Sequence, residues 1–412
     1  MIDTEINGAL WRDSMLSLKP MKLKGPVEWN LPPSKSHMIR WLAITSQNER
    51  ETIIRFNGEP GDDIKSMKKC MESFGVKVSQ SDNEWKIRGV ALLKSDIRNN
   101  ILDCGNSGTT ANFVTAMVSL LDKEVTIDGD DSLRNRDFSE INNTLAANGA
   151  SITSNKPPFT ITGPIRFHRI SVNTEISSQP LSALVMALHK SQREIIIEYT
   201  GKSVSRNYSK LTFEIIEKCG IYLEKGDNTI ILRNNNLKIP EIIEIPQEIS
   251  LIPIAILMSE LHDVEFTIDN LGKSGFLSDS IEMIRNKEEN ILDLRDCSDF
   301  ITPAAAILAI RQGGKIVGAK HAKGKESNRI EKTAELLKVF GMNCEITQDG
   351  LIIKGKQKPK KPENPVETHL DHRIAMTAVA LATFTGGEIL NPEISKITDP
   401  MFMRKILDLV GD

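Results

Sequence analysis

A chain of 412 residues exceeds what one hydrophobic core ordinarily organises, so two domains are expected. Its 40% hydrophobic and 26% charged residues are typical of a globular chain, not of a disordered or membrane-embedded one. With 52 Lys+Arg against 55 Asp+Glu and a net charge of -3, it has no general attraction for nucleic acid or anionic lipid, so cationic sites must be local.

In chain order, MIDTEINGALWRDSM carries acids and no apolar signal core, so no secretion is expected; the first fifteen or so residues follow no motif and are expected to be either a non-native start or a loose extension. LPPSKSHMIR (31–40) gathers Ser34, Lys35, Ser36, His37 and Arg40 where an apolar helix, WLAIT, begins. GDDIKSMKKCMESFGVKV (61–78) has Ile64, Met67, Met71 and Phe74 at helical spacing, Gly75 as a stop and a strand beyond it. SDNE and WKIRG then supply a turn and a second strand. CGNSGTT (104–110) packs small residues around Asn106, so its backbone N–H groups can approach a ligand, although it lacks the Lys-Ser/Thr ending of a nucleotide P-loop.

The grammar of helix, glycine, strand, tight turn and strand returns in 138–163 with Gly149 and in 210–232 with Gly220. A late copy, 328–355, ends its helix at Gly341 and starts it with Asn328 and Glu331 at capping-box spacing. The unit recurs roughly every 70 residues through the first half, so each domain is read as several similar helix-and-hairpin pieces. SSQPLSAL (177–184) sets two hydroxyls and an amide ahead of an apolar helix, which also suits a simple helix cap. KESNR (325–329) and DHR (371–373) put carboxylates beside cations, the composition of surface ion pairs. His369 and His372 in HLDH have no third ligand at a recognisable spacing, so no metal is expected. LIPIAILM (251–258) and IAMTAVALATF (374–384) are too short to span a membrane. The five cysteines (Cys70, Cys104, Cys219, Cys297, Cys344) form no C-x-x-C pair, which fits reduced thiols and a cytoplasmic location.

Taken together, LPPSKSHMIR, CGNSGTT, LRNR (133–136), SSQPLSAL, VSRNY (204–208), KESNR, DHRIAM and SKITDP form a set whose order and spacing resemble the 5-enolpyruvylshikimate-3-phosphate synthase family from about residue 20 to the end. The resemblance implies an α/β (α+β) fold of two domains, each of three βαββαβ units. The C-terminal domain would be discontinuous (1–33 and 246–412) around an N-terminal domain (34–245). It implies transfer of the enolpyruvyl group of phosphoenolpyruvate to the 5-hydroxyl of shikimate 3-phosphate, with release of phosphate and with no metal or organic cofactor. The expected partners are these two small molecules, with no nucleic acid or membrane, and a monomer is expected.

By motif position, the resemblance gives Ser36, Arg40, Ser177, Ser178 and Ser205 to shikimate 3-phosphate, with Tyr208 packing against its ring. Lys35 would face both substrates and Gln179 would lie between them. Gly108, Arg136, Arg329, Arg373 and Lys396 match the phosphoenolpyruvate ligands, where guanidinium forks suit carboxylate and phosphate; Asn106 belongs to the same loop. Asp299, in CSDF, would take the hydroxyl proton and Glu326 would protonate the methylene carbon, while Lys35 and Lys325 stabilise the developing charge. From the residues alone, Asp299 would equally cap the following helix, and Glu326 would equally pair with Lys325 or Arg329. The family also binds glyphosate at the phosphoenolpyruvate site, and Gly108 would form the wall that leaves room for it.

Several positions depart from the pattern. Asn112 replaces the usual Arg after the glycine loop, which removes a cation; Asp137 replaces a Pro and brings a negative charge beside Arg136. His321 replaces an Asn, Glu248 stands where Asp is usual, and KITDP has an extra residue. The rival readings are the sister enzyme that transfers enolpyruvyl to a UDP-amino sugar, a non-catalytic anion-binding relative, and an RNA-end-processing enzyme. Against the first, no cysteine lies between Cys104 and Cys219. Against the second, Lys35, Asp299, Lys325, Glu326 and Arg373 are all present; against the third, no basic surface interleaved with aromatics stands out.

Overall fold

A computed structural model describes residues 4–6, 9–12, 14–92, 97, 99–166, 168–189, 194–233, 237–268 and 275–410. The chain divides into two compact units, Pro33–Pro246 and a discontinuous one of Met1–Pro32 with Gln247–Asp412.

The unit Pro33–Pro246 holds three four-stranded sheets of one design, each a parallel pair of strands extended by an antiparallel hairpin. In the second sheet Ile101–Asp103 runs parallel to Glu124–Asp128, with Leu102 opposite Ile127, and Phe159–Thr162 and Ser151–Ile152 follow antiparallel. The third repeats this with Arg169–Asn173, Ile195–Thr200, Thr229–Leu232 and Leu223–Lys225. In the first, the parallel partner of Glu51–Arg55 is Ile242–Glu244, so the last strand of the unit closes onto its first sheet. Strands such as Glu51–Arg55 bury alternate residues and leave the others in solvent, as one-sided sheets do.

The helix that precedes each hairpin ends the same way. After Asp62–Ser73, Gly75 takes φ +93, its N–H bonds the Glu72 carbonyl, and the Val76 N–H bonds the Met71 carbonyl at 3.2 Å. Gly149–Ala150, Gly220–Ile221 and Gly341–Met342 repeat these two bonds at the ends of Ser139–Ala147, Arg206–Lys218 and Arg329–Val339. A glycine here takes the left-handed turn without a Cβ clash, and the next, apolar residue folds back onto the helix.

Between the sheets run helices buried on all sides: Lys35–Thr45, Gly108–Val118 and Gln179–Leu188. The discontinuous unit has the matching set Ile252–His262, Ile301–Ile310 and His372–Thr385. Apolar or small residues all round the helix, as in ITPAAAILAI, leave no face for water. Within the unit Pro33–Pro246, each of its three helices begins beside a motif singled out in the sequence, with its positive dipole end there.

Among its described residues, the discontinuous unit contains one sheet of the shared design, Ile291–Asp293, Gly313–Val317, Leu351–Lys354 and Cys344–Ile346. Its second sheet corrects the expectation of a loose N-terminal extension. Thr4–Ile6, Ala9–Arg12 and Met15–Leu18 form an antiparallel meander that continues onto Gly387–Leu390. Leu16 and Leu18 alternate into the core, which fixes the register that the preceding strands extend.

Candidate active site

The motif LPPSKSHMIR turns from extended chain into the helix Lys35–Thr45, with Ser34 in the cap position. Lys35 Nζ pairs with Asp63 Oδ2 at 3.0 Å, which holds the ammonium at the helix start. One turn on, Arg40 is fully buried and lies over the Phe113 ring at 5.4 Å. Its Nε donates to Thr212 Oγ1 (2.8 Å), Nη1 to the Ser36 carbonyl (3.0 Å), and Nη2 to Gln179 Oε1 (3.4 Å) and the Tyr208 carbonyl (3.1 Å). Burial lowers this guanidinium to about 9, with Tyr208 opposing, so it stays cationic at neutral pH. Burial, then Arg40 and Lys218, lower His37 to about 3, so its ring is neutral and bonds Ser34 Oγ at 2.9 Å.

The other expected residues of this unit meet around the same helix ends. Ser177 Oγ accepts the Gln179 N–H, and Ser178 Oγ donates to the Ser205 carbonyl at 2.9 Å. Ser205 sits in the left-handed region at φ 53 before the helix Arg206–Lys218, a strained setting for a serine. Tyr208 is buried, and its carbonyl is the one that holds Arg40. In the glycine loop, Ser107 caps the helix Gly108–Val118. Asn106 donates to Asp130 Oδ2 at 2.8 Å and accepts from Arg136 Nη2 at 2.5 Å, so the loop amide aims the guanidinium.

In the discontinuous unit one buried guanidinium organises three carboxylates. Arg329 Nη1 donates to Asp299 Oδ1 at 2.7 Å, Nη2 to Glu326 Oε2, and Nε to Asp371 Oδ2 at 2.8 Å. Burial alone would lower Arg329, but Asp371, Glu326 and Asp299 outweigh it and push it above its ordinary value. Lys325 Nζ stands 3.8 Å from Asp299 Oδ1, and His372 Nδ1 3.9 Å from Glu326 Oε1. Arg373 is anchored by one residue: Nη1 donates to the Ser250 carbonyl (2.8 Å) and Nη2 to its hydroxyl (2.7 Å). Lys396 is exposed on the short 3₁₀ helix Pro392–Ile397. Burial, then Asp299, raise the Cys297 thiol, which keeps it protonated and unreactive beside this cluster.

The arrangement offers hydroxyls, amides and cations for anions in one unit, and paired carboxylates with cations in the other. The sequence model of EPSP synthase (3-phosphoshikimate 1-carboxyvinyltransferase) matches residues 18–273 and 247–406. The chain belongs to the EPSP synthase family. A 3-phosphoshikimate 1-carboxyvinyltransferase of Korarchaeum cryptofilum is 28% identical over 405 residues, covering 90% of this chain and 92% of that protein. One from Saccharolobus solfataricus is 26% identical over 418 residues, covering 96% and 98%. Among solved structures, an EPSP synthase from Acinetobacter baumannii superposes with a TM-score of 0.75 at 21% identity, over 95% of this chain and 97% of that one. The enolpyruvyl transferase NikO from Streptomyces tendae has a TM-score of 0.70 at 11% identity, over 96% and 97%. These likenesses establish the two-domain fold.

The departures from the EPSP synthase family pattern have local explanations. Asn112 turns its amide back to the Gly108 carbonyl at 2.8 Å, so the lost cation is replaced by a brace within the loop's own helix. Asp137 accepts from the Ser139 N–H and hydroxyl, both at 2.9 Å, so its charge serves the start of the next helix. His321 is buried with neither ring nitrogen hydrogen-bonded, and burial, then Lys325, lower it to about 4. Glu248 takes a cap position and accepts the Ser250 N–H.

Asp63, Asp130, Thr212 and Ser250 escaped the motif reading, although each holds a residue that the motifs named; Asp371, read in DHR as half of a surface ion pair, is instead fully buried against Arg329. Their signal was weak, because an acid or hydroxyl at a helix start reads as an ordinary cap. Among the described residues no His, Cys, Asp and Glu side chains group as a metal would need, and no helix is long and apolar enough to cross a membrane.

Proposed function

We propose that this EPSP synthase family member transfers the enolpyruvyl group of phosphoenolpyruvate to the 5-hydroxyl of shikimate 3-phosphate and releases phosphate. The observation that carries the chemical assignment is the placing of Asp299 and Glu326 on the two arms of one buried guanidinium, with Lys325 alongside. The reaction needs two proton carriers held close together beside positive charge. Asp299 takes the hydroxyl proton as the oxygen bonds to C2 of phosphoenolpyruvate, and Glu326 gives a proton to C3. In the second step Glu326 takes a proton back from the new methyl group, the C–O bond to phosphate breaks, and the enolpyruvyl ether remains. Lys35 and Lys325 offset the charge that builds on the intermediate.

Shikimate 3-phosphate is assigned to Lys35, Ser36, Arg40, Ser177, Ser178, Gln179, Ser205 and Tyr208. Arg40 has four of its N–H donors already engaged, so its share is chiefly to fix Gln179 and the chain around Tyr208. Phosphoenolpyruvate is assigned to Gly108, Arg136, Arg329, Arg373 and Lys396, with Asn106 aiming Arg136. The test is incubation with both substrates and mass analysis of the acceptor. An acceptor that gains the enolpyruvyl group with one phosphate released supports the proposal; saturating substrates without that product refute it.

A further inference from the structure

Asp371 lies at the start of the helix His372–Thr385 and has no exposed surface. Its Oδ1 accepts the Arg373 N–H at 2.9 Å and Arg329 Nη2 at 3.2 Å; its Oδ2 accepts Arg329 Nε at 2.8 Å and the Ser327 hydroxyl at 2.9 Å. Those four bonds occupy the acceptor capacity of the carboxylate, so it is not itself a proton carrier or a ligand. It grips the Nε–Nη2 edge of the guanidinium as a two-pronged fork, the strongest geometry available to this pair. The Nη1 hydrogen toward Asp299 and the second Nη2 hydrogen toward Glu326 are aimed by that grip.

We propose that Asp371 is a positioning residue that keeps Asp299 and Glu326 basic enough to carry protons, by aiming Arg329 and supplying its counter-charge. The inference rests on the assignment of Asp299 and Glu326 made above. One cation shared among three carboxylates gives each less than a full opposing charge. Remove the charge of Asp371 and the two remaining carboxylates face the whole cation, which favours their ionised forms and weakens them as bases. The other charged and titratable groups around them stay in place: Lys325 beside Asp299, His372 beside Glu326, His321 and Cys297 near Asp299, and Arg373 with Glu248 across Ser250.

Two variants separate charge from geometry. Asp371→Asn retains an oxygen for the Arg373 N–H and removes the charge; Asp371→Glu keeps the charge and displaces the fork. For Asp371→Asn, the acid limb of kcat/KM against pH moves about one pH unit lower and kcat falls about tenfold. For Asp371→Glu, the limb stays and the phosphoenolpyruvate KM rises about tenfold, because Arg329 is no longer aimed. A folded Asp371→Asn protein with the original limb overturns the inference. So does an Asp371→Glu protein with an unchanged KM, which keeps the test open should the Asn variant not fold. Carbon-13 titration of the side-chain carboxyls reads the same shift without activity. If Asp299→Ala turns over normally, the catalytic assignment fails, while the titration still reports whether Asp371 governs these carboxylates.

Discussion

Asn112 and Asp137 were the residues that cast doubt on anion binding, and both turn out to serve local backbone. The amide of Asn112 braces the Gly108 carbonyl, and the carboxylate of Asp137 caps Ser139. Sequence gives a charge and a position but not a rotamer, so neither direction was readable. By contrast, the readable residues were those whose chemistry has few alternatives, such as an Arg or a Lys at the mouth of an apolar helix. His321 shows what burial adds. Its ring titrates near 6.5 when unfolded and about 4 when folded. Between those values the unfolded chain binds the extra proton, so stability falls as pH drops from about 6.5 toward 4. We expect His321→Asn to flatten that fall by about 2 kcal/mol. Urea midpoints of both proteins at pH 7 and pH 5 check this, and parallel losses in the two would contradict it.

At the scale of elements, the four glycine-ended helices were visible because one residue type has one reason to be there. Each glycine is followed by an apolar residue that closes the same pair of bonds. The N-terminal strands were missed because three- and four-residue strands carry too short an alternation, and their partner, Gly387–Leu390, is far along the chain. The helix Gly108–Val118 gives the element-scale prediction. A Cβ on Gly108 would stand 3.1 Å from Arg136 Nη1, tighter than side chains ordinarily allow. Gly108→Ala therefore presses on the guanidinium that Asn106 aims, besides narrowing the loop. We expect the phosphoenolpyruvate KM to rise several-fold, and the glyphosate inhibition constant to rise by a further order of magnitude or so. Equal changes in both constants would mean that Gly108 does not discriminate between them.

For the whole molecule, Pro33–Pro246 repeats one sheet design three times, the discontinuous unit shares that design in one described sheet, and each unit has three interior helices. The repeat could be read from periodicity. The joining of Met1–Pro32 with Gln247–Asp412 came only through the family resemblance, because no local pattern marks a chain that leaves a unit and returns. Family membership narrows the reaction to enolpyruvyl transfer and leaves the acceptor as the point to be measured. The direct measurement is phosphate release from phosphoenolpyruvate, with shikimate 3-phosphate and then a UDP-amino sugar as acceptor at matched concentrations. The account predicts sustained release with shikimate 3-phosphate and only background with the UDP-amino sugar; release with the sugar nucleotide alone would contradict it.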